Sequence, residues 1–500
     1  MTKNLKSFFI DQHGCAKNQT DGELISAFLE KEGFSQVFDA DKADFILINS
    51  CGFINSAKKE SIDAVYNVKA AYPAAKIILT GCLAQRYAND LFDSMPELDG
   101  VFGNGDLSKI AGFMKKVSGG QRFVQTFDQC GISSAKRTKL MNFKGSAFVK
   151  ITEGCSNHCS FCAIPLIRGE LRSRPVESII SEIKELTGQG VYEINLIGQD
   201  LAAYGSGEED KELRAALNPV RSPLCQLLEK ISQIQGDFVV RLLYIHPDHF
   251  NTDILGVMKK DKRFLHYFDI PFQSGDDKTI LAMNRTGSQK KYIELVEKIR
   301  SELPDCMLRT TFLTGFPGES DQAAENTQAF LKAIAPDWSG CFPYSREEDT
   351  PAYSMKPRVA AKTAQARADA LVQLQTEITN EKLTRFAGQT VNVLVEEVIN
   401  AGQASGAAEA AGAGEGGADS DGDLDPSEGL AIGRAWFQAP EVDGSVVVRY
   451  DLDDSCQSAA IAPGNVIKVQ ILASTGVDLD ARFIELVKEF PKDSDLHFIS

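Results

Sequence analysis

The sequence contains no run of 18 or more apolar residues, the length at which a hydrophobic stretch becomes a candidate to cross a bilayer, so no membrane span is expected. Nor does a long apolar stretch follow the opening Met1-Thr2-Lys3-Asn4-Leu5-Lys6, so no signal peptide is read and a reducing cytoplasm is the expected compartment. Positive charge is also short: 53 Lys and Arg against 69 Asp and Glu give a formal charge of −16. That argues against a surface built throughout to hold nucleic acid by counterion release. The deficit is local. Gly388 to Ser500 holds 20 acidic and 6 basic residues, net −14, while the rest holds 49 and 47, net −2. Eleven cysteines in 500 residues do not suit the disulfide framework of a small secreted scaffold, which leaves their thiols free for metal. A chain of this length predicts roughly two to four domains.

Also missing is a fourth cysteine beside Cys155, Cys159 and Cys162, which are spaced C-x3-C-x2-C. A closed zinc site needs four protein ligands, so a zinc knuckle would have to borrow His158 or a distant residue. Three thiolates suit a 4Fe-4S cubane with one iron open to a small molecule. In the first third, strands at Ser7-Phe8-Phe9-Ile10, Phe45-Ile46-Leu47-Ile48 and Ile77-Ile78-Leu79-Thr80 each run into a loop and then a helix. The first helix is expected from about Asp21 to Gly33, because Leu24, Ile25, Phe28 and Leu29 recur at three-to-four spacing. Three such units predict a parallel sheet. Cys15, Cys51 and Cys82 follow the three strands, where the carboxyl ends of neighbouring strands bring them together as a second metal site. His13 adjoins one of them, but a lone histidine at a strand end is more often packing than ligation.

Glu153-Gly154-Cys155 through Phe161-Cys162-Ala163-Ile164-Pro165 resembles the signature of radical S-adenosylmethionine (SAM) enzymes. The resemblance implies that the open iron at Cys155, Cys159 and Cys162 chelates SAM, with Phe161 near the adenine. It assigns Gln199, Arg309 and Gly315 to the walls of the SAM pocket. Gly14-Cys15-Ala16-Lys17-Asn18, Asn49-Ser50-Cys51-Gly52 and Thr80-Gly81-Cys82 resemble the N-terminal domain of methylthiotransferases, which carry two 4Fe-4S clusters. Cys15, Cys51 and Cys82 map onto the ligands of the auxiliary cluster that handles the inserted sulfur. Within that family, Cys51-Gly52-Phe53-Ile54, Arg172-Ser173-Arg174-Pro175 and Tyr267-Phe268-Asp269-Ile270-Pro271 resemble the RimO-type branch, which modifies an aspartate of ribosomal protein S-twelve. The implied electron donor is a protein such as flavodoxin. Ala16 departs from that branch, which often has proline there.

The expected fold class is α/β. A parallel α/β domain (1–135) precedes a central partial (β/α)6 radical-SAM barrel (141–386) and a small antiparallel β-barrel resembling a TRAM domain (388–500). An Ala, Gly, Asp and Ser tract at about 401–428 reads as a disordered acidic insertion, and its formal G-x-G-x-x-G at Gly412 to Gly417 as fortuitous. His246 and His249 form only a weak H-x-x-H pair, since Pro247 lies between them. The acidic C-terminal module suits a basic ribosomal-protein loop better than tRNA, so no direct tRNA binding is expected. The rivals are a tRNA adenosine methylthiotransferase and a noncatalytic scaffold with zinc at both triads.

Overall fold

The computed structural model describes residues 6–129, 131–399 and 427–499. Nearly all of the expected acidic insertion, with Gly412 to Gly417, lies outside them. Among the described residues, no helix is long and apolar enough to cross a membrane.

The N-terminal part is a six-stranded parallel sheet in the order Ser35–Gln36, Ser7–Gln12, Phe45–Ser50, Lys76–Thr80, Gly100–Phe102, Phe123–Gln125. Its central strand Phe45–Ser50 is buried along its whole length, as the apolar run Phe45-Ile46-Leu47-Ile48 requires of a strand covered on both faces. The first helix, Ala16–Lys31, begins five residues before its expected start at Asp21. Its opening turns carry the buried polar residues Lys17, Asn18, Gln19, Thr20, Asp21 and Glu23, where residues from beyond the first sheet pack and supply cations to Asp21 and Glu23.

The second domain is an open six-stranded parallel sheet in the order Ser146–Lys150, Glu193–Ile197, Val239–Leu242, Phe264–Asp269, Met307–Thr314, Trp338–Pro343, wound with helices as a partial barrel. One face packs on those helices through residues such as Leu196, Val240, Phe268 and Leu308. The face turned away from them carries Phe148, Ile197, Leu243, Tyr267 and Met307, and meets both Ala16 and the C-terminal module.

The C-terminal module is a closed barrel of five strands in the order Thr390–Ile399, Glu428–Ala435, Val446–Asp451, Asp478–Lys488, Val466–Thr475. Four of its pairings are antiparallel, and Val446–Asp451 pairs with Asp478–Lys488 in parallel. It is fixed to the central sheet by buried charge. Arg434 pairs with Glu193 (2.7 Å) and Glu396 (2.5 Å), and Arg241 pairs with Glu193 (2.9 Å). Asp443, in the loop before Val446–Asp451, accepts from Tyr267 Oη (2.5 Å) and pairs with Arg309 (2.5 Å). The last residues leave the barrel, and His497–Phe498 pairs in parallel with Lys139–Leu140.

Candidate metal and cofactor site

Local backbone chemistry gathers Cys15, Cys51 and Cys82. Cys15 is the N-cap of the helix Ala16–Lys31, where the helix dipole favours a thiolate. Cys51 directly follows the buried strand Phe45–Ser50, and Cys82 lies in the first turn of the helix Gly81–Arg86. The loops touch. A Cβ added to Gly14 would lie 3.1 Å from the Cys51 Cβ, and one added to Gly52 would lie 2.9 Å from the Cys82 carbonyl carbon. Asn18 ties the three loops together: its Nδ2 donates to Ser50 O (2.7 Å) and its Oδ1 accepts from the Cys82 thiol (3.0 Å).

Electrostatics within the trio are uneven. Burial pushes the Cys82 thiol up to about 12, against the pull of Arg168, with Cys15 and Cys51 adding to the rise. Burial would raise Cys15 too, but Lys17 and Arg168 overcome it and hold the thiol below its ordinary value. The Cys15 thiol keeps accessible surface, with Lys17 and Arg168 as the cations acting on it.

The second trio sits on the loop after Thr152–Glu153. The Cys155 N–H donates to Gly169 O (3.0 Å) and the Cys162 N–H to Cys159 O (2.9 Å). Burial is the main cause that raises the Cys155 thiol, and the other two cysteines add to it. Burial also pushes Cys162 up to about 12, with Cys159 adding to the rise. The two trios are neighbours. The helix Ile164–Arg168 starts two residues after Cys162 and ends at Arg168, whose Nη2 lies 3.3 Å from the Cys82 sulfur. Ala163 and Ile167 pack directly on Cys82.

The donor spacing bears on which metal fits. Among the described residues, the three His, Cys, Asp or Glu side chains with donor atoms all within 4.8 Å of one another are Asp200, His246 and His249. Neither cysteine trio is drawn in that far, whereas one tetrahedral zinc would hold its sulfurs roughly 3.8 Å apart. A cubane carries each thiolate on a different iron and spreads them more widely. His158 faces Glu170 (3.6 Å) on the surface and does not complete a zinc knuckle. Three thiolates with no fourth protein ligand among the described residues, wider apart than one zinc would hold them, are the donor set of a 4Fe-4S cubane with one open iron.

Asp200, His246 and His249 have another use. The Asp200 carboxylate accepts from His246 N (3.1 Å), Ala202 N (2.9 Å), Asn157 Nδ2 (3.0 Å) and His249 Nδ1 (2.9 Å), which fills the four lone-pair directions a carboxylate offers. It braces the cluster loop against the strand ends. His246 Nδ1 accepts from the Asp248 N–H (3.3 Å), which places the ring proton on Nε2, 3.8 Å from the Cys159 sulfur. His13 pairs with Asp11 (3.2 Å) and Glu60 (3.1 Å), and its hydrogen bond to Asp11 carries it up to about 9.

The four residues expected around SAM have four different surroundings. Phe161 packs in an apolar cup with Met283, Leu313, Phe316 and Tyr344, where the buried Tyr344 hydroxyl has no partner. Gln199 reaches Glu153 at 3.4 Å through Nε2, and its buried Oε1 has no partner. Arg309 is held by Asp443, and Gly315 (φ +74°) backs onto Ala364, whose Cβ would meet an added Cβ at 2.2 Å. Sequence spacing gave no sign of the charge cluster between the trios. Arg168 pairs with Asp21 (2.9 Å) and Glu153 (2.8 Å), and Lys150 pairs with the same two carboxylates, each at 2.5 Å. Their apolar surroundings could have marked Lys150 and Arg168 as buried charges in need of partners.

A cavity of about 560 Å³ lies away from the cysteines, between the amino ends of the central strands and the C-terminal barrel. A smaller one, about 220 Å³, opens beside Cys155.

Residues 7–103 match a family described as Uncharacterized protein family UPF0004, residues 149–331 match the Radical SAM superfamily, and residues 421–484 match the TRAM domain. The chain is 49% identical to the protein named Ribosomal protein uS12 methylthiotransferase RimO of Treponema denticola, over 94% of this chain and 99% of that one. It is 34% identical to the protein of the same name from Bdellovibrio bacteriovorus, over 95% and 97%. Among solved structures, the radical SAM methyltransferase TsrM of Kitasatospora setae shares the fold at a TM-score of 0.52 and 13% identity, covering 70% of this chain and 75% of that one.

Proposed function

The chain belongs to the RimO family of ribosomal protein uS12 methylthiotransferases, and from that premise we propose that it places a methylthio group on the β-carbon of an aspartate in uS12, the S-twelve protein. The supporting observation is the adjacency of the two trios, joined by the five-residue helix that runs from Cys162 to the Arg168 guanidinium on Cys82. In this reading Cys155, Cys159 and Cys162 hold the SAM-binding cluster, and Cys15, Cys51 and Cys82 hold the auxiliary one. When bound, the clusters and SAM supply the radical, the methyl group and the sulfur, which an unactivated C–H bond demands because it offers no handle to acid or base.

The protein's own residues set the geometry. Arg168 and Lys150 neutralise Asp21 and Glu153, so the wall between the trios is rigid and internally paired. Asp200 fixes the cluster loop through Asn157. The Phe161 cup offers an apolar face for adenine, and the unpartnered Gln199 carbonyl near Glu153 offers an acceptor. The SAM wall we propose is made by Phe161 and Gln199 with Arg309, anchored by Asp443, and Gly315, which Ala364 restricts to glycine. Electrons come from a low-potential donor such as a flavodoxin. The acidic C-terminal module faces a basic ribosomal loop.

Mass spectrometry of uS12 and of tRNA from a deletion strain tests this reading. The expected result is loss of the methylthio group from uS12 with tRNA unchanged. Loss from tRNA alone overturns it.

A further inference from the structure

Lys17 lies beside the auxiliary trio, near enough to lower the Cys15 thiol, and among the described residues it has no carboxylate partner of its own. It is 8% exposed, and among the described residues no carboxylate lies within 4.0 Å of its ammonium. The nearby cations are different: Arg168 and Lys150 are both locked to Asp21 and Glu153. The Lys17 Nζ rests 3.1 Å from the centroid of the Tyr244 ring, a contact that offsets only part of the cost of burying a charge.

Its position is informative. Lys17 is two residues beyond Cys15, in the first turn of the helix that Cys15 caps, and Tyr244 stands just past the carboxyl end of the strand Val239–Leu242. The ammonium therefore lies where the auxiliary trio faces the mouth of the barrel. On the function proposed above, the substrate carbon must reach this same place. It loses a hydrogen on the barrel side and receives sulfur from the Cys15, Cys51 and Cys82 side. The carbon in question is directly bonded to a carboxylate, an anion of the kind an unpaired buried ammonium lacks.

We propose that Lys17 binds the side-chain carboxylate of the target aspartate, orients its β-carbon between the two trios, and discriminates aspartate from asparagine. The proposal rests on the uS12 reading, and the two can fail separately. The experiment compares binding of two uS12 loop peptides, one with the target aspartate and one with asparagine in its place, to the reconstituted protein and to its Lys17→Met variant. A hydrogen-bonded charge pair makes the aspartate peptide bind about 10- to 100-fold tighter to the unaltered protein. In Lys17→Met the ratio falls to within about twofold, with the iron content unchanged. An unchanged ratio in the variant overturns the proposal, and so does equal affinity of the two peptides for the unaltered protein. A variant that takes up fewer irons also overturns it, because Lys17 would then be balancing the charge of the cluster. Failure of the unaltered protein to methylthiolate the aspartate peptide contradicts the function, whatever the binding ratio.

Discussion

Replacing Arg168 with methionine perturbs the wall between the trios at its centre. The guanidinium is 3% exposed and touches Asp21 (2.9 Å), Glu153 (2.8 Å), Asn18 Oδ1 (2.7 Å) and the Cys82 sulfur (3.3 Å). Methionine fills much of the volume and supplies none of these contacts. Asp21 and Glu153 are then left with Lys150 as their shared cation, and breaking a buried pair in this way costs about 3–5 kcal/mol. Against a total stability of about 5–15 kcal/mol, that is a large fraction. Cys82 loses the guanidinium 3.3 Å from its sulfur, and Asn18, which ties the three cysteine loops together, loses its contact to the same group, so the auxiliary site weakens as a metal ligand set. The assays are urea unfolding and iron content after anaerobic reconstitution. Arg168→Met should shift the first unfolding transition by that amount and hold about four irons per chain in place of about eight. Arg168→Lys restores the charge without the planar fork and should recover part of the loss. Full iron content with an unshifted transition in Arg168→Met would refute the reasoning.

Other consequences are as specific. Burial alone would raise the Glu193 carboxyl, but Arg434 and Arg241 hold it well below the usual range. A carboxyl depressed in the folded state contributes stability that is complete above its unfolded value, about pH 4.3, and is lost as pH falls below it. Protease cleavage between the central sheet and the C-terminal barrel should therefore rise on acidification below about pH 4, and Glu193→Gln should show that sensitivity already at neutral pH. Removing the His246 Nε2–H bond to the Cys159 sulfur should lower the reduction potential of the SAM-binding cluster by roughly 20–60 mV in His246→Phe, read by a redox titration followed by electron paramagnetic resonance. An unshifted potential means the contact carries no charge stabilisation.

The parallel sheets and the meeting of the Cys15, Cys51 and Cys82 loops were legible because strand, loop and helix repeat in sequence and each of these cysteines follows a strand. Harder to see was the start of the helix Ala16–Lys31, where buried polar residues break the apolar period because their partners Arg137, Lys150 and Arg168 come from more than a hundred residues away. Gly100–Phe102 and Phe123–Gln125 are only three residues long, too short for a period to register. Asp478–Lys488 carries a weak strand pattern. Its far end, with Ile484, Leu486 and Val487 exposed, does not alternate cleanly between core and solvent. The His246 and His249 pair looked weak for want of a third ligand. Asp200 stands beside them, yet its hydrogen bonds explain the grouping without a metal.

The most direct measurement follows one atom. A uS12 loop peptide deuterated at the β-carbon of its aspartate is incubated anaerobically with the reconstituted protein, SAM and a low-potential reductant. Two trios sharing one chamber predict deuterium in the 5′-deoxyadenosine and a methylthio group on the carbon that lost it. Deuterium retained in the peptide, or SAM cleaved with no methylthio group gained at that aspartate, would contradict the account.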